Sequence, residues 1–115
     1  MGTTAKQVTF HGLRENDLKI IINTLVAFPE VEKAVFFGSR AKGNYRTGSD
    51  VDICISGYKV SQQTCTRIRY LLNEELLLPY FFDVLHYEKI SNQNLKDHID
   101  KVGILFYPPG SHTSS

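Results

Sequence analysis

The chain has 115 residues, enough to bury one core and too few for two independent ones. Its 13 lysines and arginines against 12 aspartates and glutamates leave a formal charge of +1, which gives no global electrostatic reason to bind duplex nucleic acid. The longest strongly apolar stretch, residues 20–28, is interrupted by Asn23 and Thr24 and is well short of the ~20 residues a bilayer span requires. The opening MGTTAKQVTF lacks the apolar centre of a secretory signal, and two cysteines make no disulfide framework, so a cytoplasmic protein is expected.

Residues 1–7 and 108–115 combine small, polar and helix-breaking residues with little to bury. Flexible ends are therefore expected around one domain spanning residues 8–107. The spacing of Leu18, Ile21, Ile22, Leu25 and Val26 predicts a helix over residues 15–28 with one apolar face, stopped by Pro29. Lys33-Ala34-Val35-Phe36-Phe37 is short, β-branched and aromatic, and reads as a strand entering a turn at Gly38. One helical turn over residues 39–42 and a polar loop over 43–49 lead to a second strand, 50–55. There Val51, Ile53 and Ile55 alternate with Asp50, Asp52 and Cys54, which places both aspartates on one sheet face.

Ser61 can cap a helix reaching about residue 77, with Ile68, Leu71, Leu72 and Leu76 on its apolar side and Pro79 beyond its end. A third strand follows over residues 81–87 and carries a lone aspartate, Asp83, among apolar neighbours. Ser91 or Asn92 starts a last helix to about residue 102. Gly103 ends it, and Ile104-Leu105-Phe106-Tyr107 closes the fold as a strand.

Chemistry concentrates between residues 38 and 52. Gly38 lets the chain turn sharply and lets backbone N–H groups approach an anion, while Ser39 opens the following helical turn with a hydroxyl donor, a phosphate cradle without the Walker pattern. Two carboxylates one residue apart on a strand lie about 6 to 7 Å apart at the backbone, close enough to converge on shared metal ions. Magnesium prefers hard oxygen ligands and binds one or two carboxylates together with substrate phosphates, which suits an acidic pair beside a phosphate seat. Asp83, on a neighbouring strand, is the candidate third carboxylate of a two-metal arrangement, its plain alternative being a strand-end or partly exposed aspartate on an otherwise buried segment.

Strand, Gly38-Ser39, a ten-residue spacer that holds the short helix, and Asp50-Val51-Asp52 occur in that order, and the segment from residue 35 to 55 resembles the signature of the polymerase-beta-like nucleotidyltransferase superfamily. The single-domain length resembles its minimal nucleotidyltransferases, and with residues 81–85 and the connecting helix the likeness covers about half of the chain. It implies a single-domain α/β (α+β) fold, a mixed β-sheet with helices packed mainly on one face. The implied reaction moves a nucleoside monophosphate from a triphosphate, AMP from ATP, to a hydroxyl acceptor with release of pyrophosphate.

By the same resemblance Asp50 and Asp52 hold two Mg2+ ions, Asp83 completes one metal site and helps activate the acceptor, and Ser39 contacts the β- or γ-phosphate. Arg40 and Lys42 are further nucleotide-binding candidates, whose plain alternative is solvation as surface cations. Minimal members of the superfamily are typically paired with a small helical HEPN-type protein encoded by the adjacent gene. Some such pairs are toxin–antitoxin systems in which the transferase adds AMP to a tyrosine of its partner. Two other readings stay open: a nucleotide-binding, catalytically weak subunit that neutralises its partner by contact, and a transferase acting on a small molecule or an RNA end.

The remaining reactive side chains attract less. His11, His86, His98 and His112 show no metal-ligand spacing among themselves or with the cysteines, and Cys54 and Cys65 read as small apolar fillers. The aromatic set Phe36, Phe37, Tyr80, Phe81, Phe82, Phe106 and Tyr107 falls mostly in predicted strands and is expected in the core, with a partner-facing patch as the alternative use of some of it.

Overall fold

The structure, a computed structural model, describes residues 9–43, 46 and 50–109. The flexible ends expected from the sequence lie almost wholly outside these residues, as does most of the polar loop. In chain order the elements are β1 (Thr9–Phe10), β2 (Leu13–Arg14), α1 (Glu15–Val26), β3 (Lys33–Phe37), α2 (Gly38–Lys42), β4 (Val51–Ser56), α3 (Gln62–Tyr70), β5 (Phe82–His86), α4 (Gln93–Val102) and β6 (Ile104–Tyr107). β3 pairs antiparallel with both β4 and β6, and β5 runs parallel to β4, which gives the expected mixed sheet in the order β5-β4-β3-β6. No helix among the described residues is long and apolar enough to cross a membrane.

α1 begins with Glu15 and Asp17 in its first turn, where carboxylates oppose the positive end of the helix dipole. Ile21 and Leu25 are fully buried, whereas Val26, expected on the same apolar face, is 58% exposed because the helix ends there, ahead of Pro29. α3 is capped by Ser61, whose hydroxyl accepts from the Thr64 N–H while Thr64 Oγ1 accepts from the Ser61 N–H. Its helical course continues to Glu75, close to the expected end near residue 77. Residues Leu71–Glu75 widen into a π-turn, Leu77 takes a left-handed φ of 52°, and Leu76 and Leu77 lie exposed beyond the helix.

The π-turn aims Asn73 at the sheet. Its Nδ2 donates to the Phe82 carbonyl at 2.9 Å, and its Oδ1 accepts from the Phe82 N–H at 2.7 Å. Arg69 Nη1 donates to the Val84 carbonyl at 3.2 Å. Side chains thus pair the outward backbone groups of β5, an edge strand that would otherwise leave them to water, and hold the strand that carries Asp83 in place.

The two sheet faces are filled differently. Leu13, Ile21, Leu25, Ile68 and Leu72 pack with Ala34, Phe36, Val51, Ile53, Ile55, Phe82, Val84 and Phe106 in one large core beneath α1 and α3. On the opposite face α4 covers a smaller cluster, Phe37, Cys54 and Ile99 with Val35, Leu85 and Leu95 around them. Helices are therefore mainly on one face, as expected, with a single helix on the other.

The β1–β2 hairpin has no counterpart in the predicted elements, because strands of two residues show no period. Its turn places His11 at φ 52° and Gly12 at φ 86°, the two positive angles that a tight hairpin turn uses. Next to it, Asp17 is 5% exposed and accepts from Arg14 Nε at 2.9 Å and from the Tyr80 hydroxyl at 2.7 Å, joining the start of α1 to the approach to β5.

Candidate active site

Strand register decides where the carboxylates stand. Phe37, at the end of β3, pairs with Asp52 across the antiparallel ladder, and Asp52 pairs with Asp83 across the parallel one. Adjacent strands lie about 4.8 Å apart, so Asp52 and Asp83 are lateral neighbours. By the period-2 alternation of strands, Asp52 shares a face with Cys54, and Asp83 with Leu85, both of which pack in the small cluster under α4. The acidic site therefore belongs to the α4 face. Asp50 lies exposed immediately before β4, Asp52 is half-buried, and Asp83 is exposed.

Their proximity registers in the acidity of Asp52. Desolvation raises its pKa above the ordinary carboxylate value, and the charges of Asp83 and then Asp50 push it in the same direction, while His98 pulls it back. A divalent cation would relieve this like-charge strain. Among the described residues no three His, Cys, Asp or Glu side chains already enclose a metal site. The donor set nevertheless fits magnesium, which is held by one or two carboxylates and completes its shell with water and substrate phosphates.

Gly38 is required by the same carboxylate. It adopts φ +73°, and a Cβ at this position would overlap Asp52 Oδ2. The missing side chain lets the turn and the aspartate occupy adjoining space, with Ser39 following in the first turn of α2. Gly43, at φ 85°, ends α2 with its N–H on the Ser39 carbonyl at 3.0 Å.

The cationic candidates part company. Lys42 is exposed at the end of α2. Arg40 turns inward, 3% exposed: its Nη1 donates to the His11 carbonyl at 3.1 Å, His11 Nδ1 lies 3.1 Å from the Arg40 carbonyl, and its guanidinium sits 5.4 Å from the Tyr80 ring centroid. Arg40 is thus brought to the hairpin and Tyr80. The cysteines behave as fillers: burial pushes the Cys54 thiol up to about 12 and the Cys65 thiol up to about 11, away from thiolate chemistry. His86 is buried on β5 with its Nε2 3.3 Å from Glu88 Oε1.

His98 escaped the sequence reading. On α4 its ring meets Phe37 edge-on at 6.3 Å, and its charge reaches Asp52. Metal-ligand spacing could not find it, because the signal is tertiary.

The in-register carboxylate pair thus lies beside a glycine turn at the edge of a mixed sheet's α4 face. The family model for polymerase beta nucleotidyltransferases matches residues 19–109, and the chain belongs to that family and is a nucleotidyltransferase. Its fold is similar to that of a toxin–antitoxin structure with AMP-PNP, at a TM-score of 0.65 and 18% identity over 85% of this chain and 76% of that one. An MntA-HepT toxin–antitoxin structure gives 0.62 and 17% over 82% and 72%. A candidate nucleotidyltransferase from Sulfolobus solfataricus gives 0.50 and 24% over 78% and 75%. No curated protein matches the sequence.

Proposed function

We propose that this nucleotidyltransferase moves AMP from ATP to a hydroxyl group of a small helical HEPN-type partner, as the antitoxin-like member of a pair. The observation that carries the reaction is the register of Asp52 with Asp83 beside a glycine turn that Asp52 itself closes against. The partner assignment draws on the toxin–antitoxin structures that share the fold. Exposed apolar side chains on the segment leading into Asp83, Leu77 at 87% and Phe81 at 62%, suit a protein acceptor.

Asp50 and Asp52 would hold two magnesium ions, with Asp83 completing one site. Bound there, the ions supply charge neutralisation for the triphosphate and lower the pKa of the attacking hydroxyl. The chain's own groups do the rest. Gly38 lets the turn close against Asp52, and the Ser39 hydroxyl that follows it donates to a β- or γ-phosphoryl oxygen. The acceptor oxygen gives up its proton towards Asp83 as it bonds to the α-phosphorus, and the bond to pyrophosphate breaks with its electron pair on the leaving group. Lys42, exposed at the end of α2, is a further candidate for the phosphates.

The test is direct. Incubation of the co-purified pair with ATP and magnesium should add one AMP mass to the partner, and Asp50→Asn or Asp52→Asn should abolish the addition while the fold persists. Transfer retained in both variants overturns the mechanism. An unmodified partner that is nevertheless inhibited favours neutralisation by contact, and pyrophosphate release only on adding a small hydroxylated molecule or an RNA end moves the acceptor there.

A further inference from the structure

We propose that His98 is a nucleotide-contacting residue, its ring N–H donating to a β- or γ-phosphoryl oxygen of the bound triphosphate from the α4 side of the site. The inference rests on the reading of the site as a nucleotide site and adds a residue to it.

Its ground is the placement of α4. Phe37, Asp52, Asp83, Cys54 and Leu85 share one sheet face, and α4 is the helix that packs on it, through Ile99 and Leu95. α4 also packs against α2, the helix that the Gly38-Ser39 turn opens. His98 meets Phe37 edge-on at 6.3 Å; Phe37 pairs with Asp52 across the ladder and immediately precedes Gly38. One ring contact thus sets the imidazole beside both the carboxylates and the turn. Electrostatics agree, because the charge of His98 offsets part of the repulsion that Asp52 feels from Asp83 and Asp50.

The chemistry of the ring then selects the ligand. His98 is partly exposed, and among the described residues no hydrogen bond or ion pair engages its ring nitrogens. An imidazole offers at least one N–H in either protonation state, so the contact needs no particular charge. Asp52 and Asp83 can accept a proton or a cation but repel phosphate. The triphosphate needs donors, and the imidazole beside Phe37 can supply one from the α4 side, as the Ser39 hydroxyl can from the turn.

Equilibrium binding of AMP-PNP and of AMP, each with magnesium, to the wild type and to His98→Leu and His98→Gln tests the assignment. A hydrogen bond to a charged group is worth about 10- to 100-fold in affinity. His98→Leu, which keeps an apolar contact on Phe37 and removes the donor, should weaken AMP-PNP by about tenfold or more and leave AMP within about twofold. His98→Gln should recover most of the loss. Equal AMP-PNP binding in wild type and His98→Leu overturns the role of His98 and leaves the nucleotide site standing, and parallel loss of AMP and AMP-PNP reassigns His98 to packing. A wild type that binds neither nucleotide overturns the site reading itself. Should leucine unsettle α4, His98→Met, flexible and apolar, carries the same comparison.

Discussion

The two faces of the sheet divide stability from chemistry. Under α1 and α3 the strands contribute Ala34, Phe36, Val51, Ile53, Ile55, Phe82 and Val84, none more than 2% exposed. One residue along each strand, the α4 face carries Phe37, Cys54 and Leu85 and then, towards one end, Asp52 and Asp83. β4 shows the division in six residues: Val51, Ile53 and Ile55 face the large core while Asp52 and Cys54 face α4. A strand whose one side is fixed by a dry core can present charged groups on the other with little freedom to move. That is how this domain holds a carboxylate pair in register.

The sharpest way to break this division is from the core side. Phe36 is fully buried and stacks on Phe106 with ring centroids 4.0 Å apart and planes inclined by 11°. Phe36→Ala removes that stack and leaves a cavity, which costs about 3–5 kcal/mol. A domain of this size has about 5–15 kcal/mol in total, so chemical denaturation should show a severe loss of stability. Its nucleotide affinity per folded molecule should stay within about threefold of wild type, because the side chain points away from the carboxylates.

The placement of Asp52 beside the Gly38 turn was legible in the sequence because both lie within one strand–turn–strand stretch, and the alternation of Val51, Ile53 and Ile55 sets the face of Asp52. β3 and β6 were legible for the same reason, each a short apolar run that fills one strand. What was hidden depends on partners far along the chain. Arg40 reads as a free cation until His11, 29 residues away, takes its Nη1, and the Tyr80–Asp17 hydrogen bond spans 63 residues. The π-turn over Leu71–Glu75, in which Asn73 bonds the backbone of Phe82, is also a departure that helical periodicity does not register. His98 is hidden likewise, since its place is set by the ring of Phe37 on another element.

Gly38 joins the two sides, and Gly38→Ala sharpens the comparison at intermediate cost. An L-residue at φ +73° is strained by about 1–2 kcal/mol, which denaturation would detect as a modest destabilisation. The added methyl would meet Asp52 Oδ2, the mobile end of a side chain, so the backbone can hold while the carboxylate swings aside. Displacing a reacting group by about 1 Å can cost about 100-fold in rate, so nucleotidyl transfer should fall by about that much while the core stays intact. A variant that loses several kcal/mol of stability but keeps its turnover would reverse the assignment of Gly38 to the site.

The smallest effect lies on the charged face and has the opposite sign. Burial and the charges of Asp83 and Asp50 raise the Asp52 pKa, so ionising this carboxyl costs the folded state more than the unfolded one. Below the ordinary value of 3.8 the group is protonated in both states and the cost is absent. As pH climbs through that value and then through the raised folded value, the unfolded chain gives up its proton first, and stability falls until both states are ionised. Asp52→Asn removes this cost. At pH 7.5 the variant should be more stable than wild type, by less than about 1 kcal/mol because a half-exposed group is screened by solvent. The difference between the two proteins should shrink to nothing as pH drops below the ordinary carboxylate value, and magnesium should raise the melting temperature of wild type more than that of the variant, by its binding to the folded state. Equal stability of the two proteins at every pH would mean that Asp52 feels no strain from its neighbours, and the α4 face would lose its claim to a site held under electrostatic load.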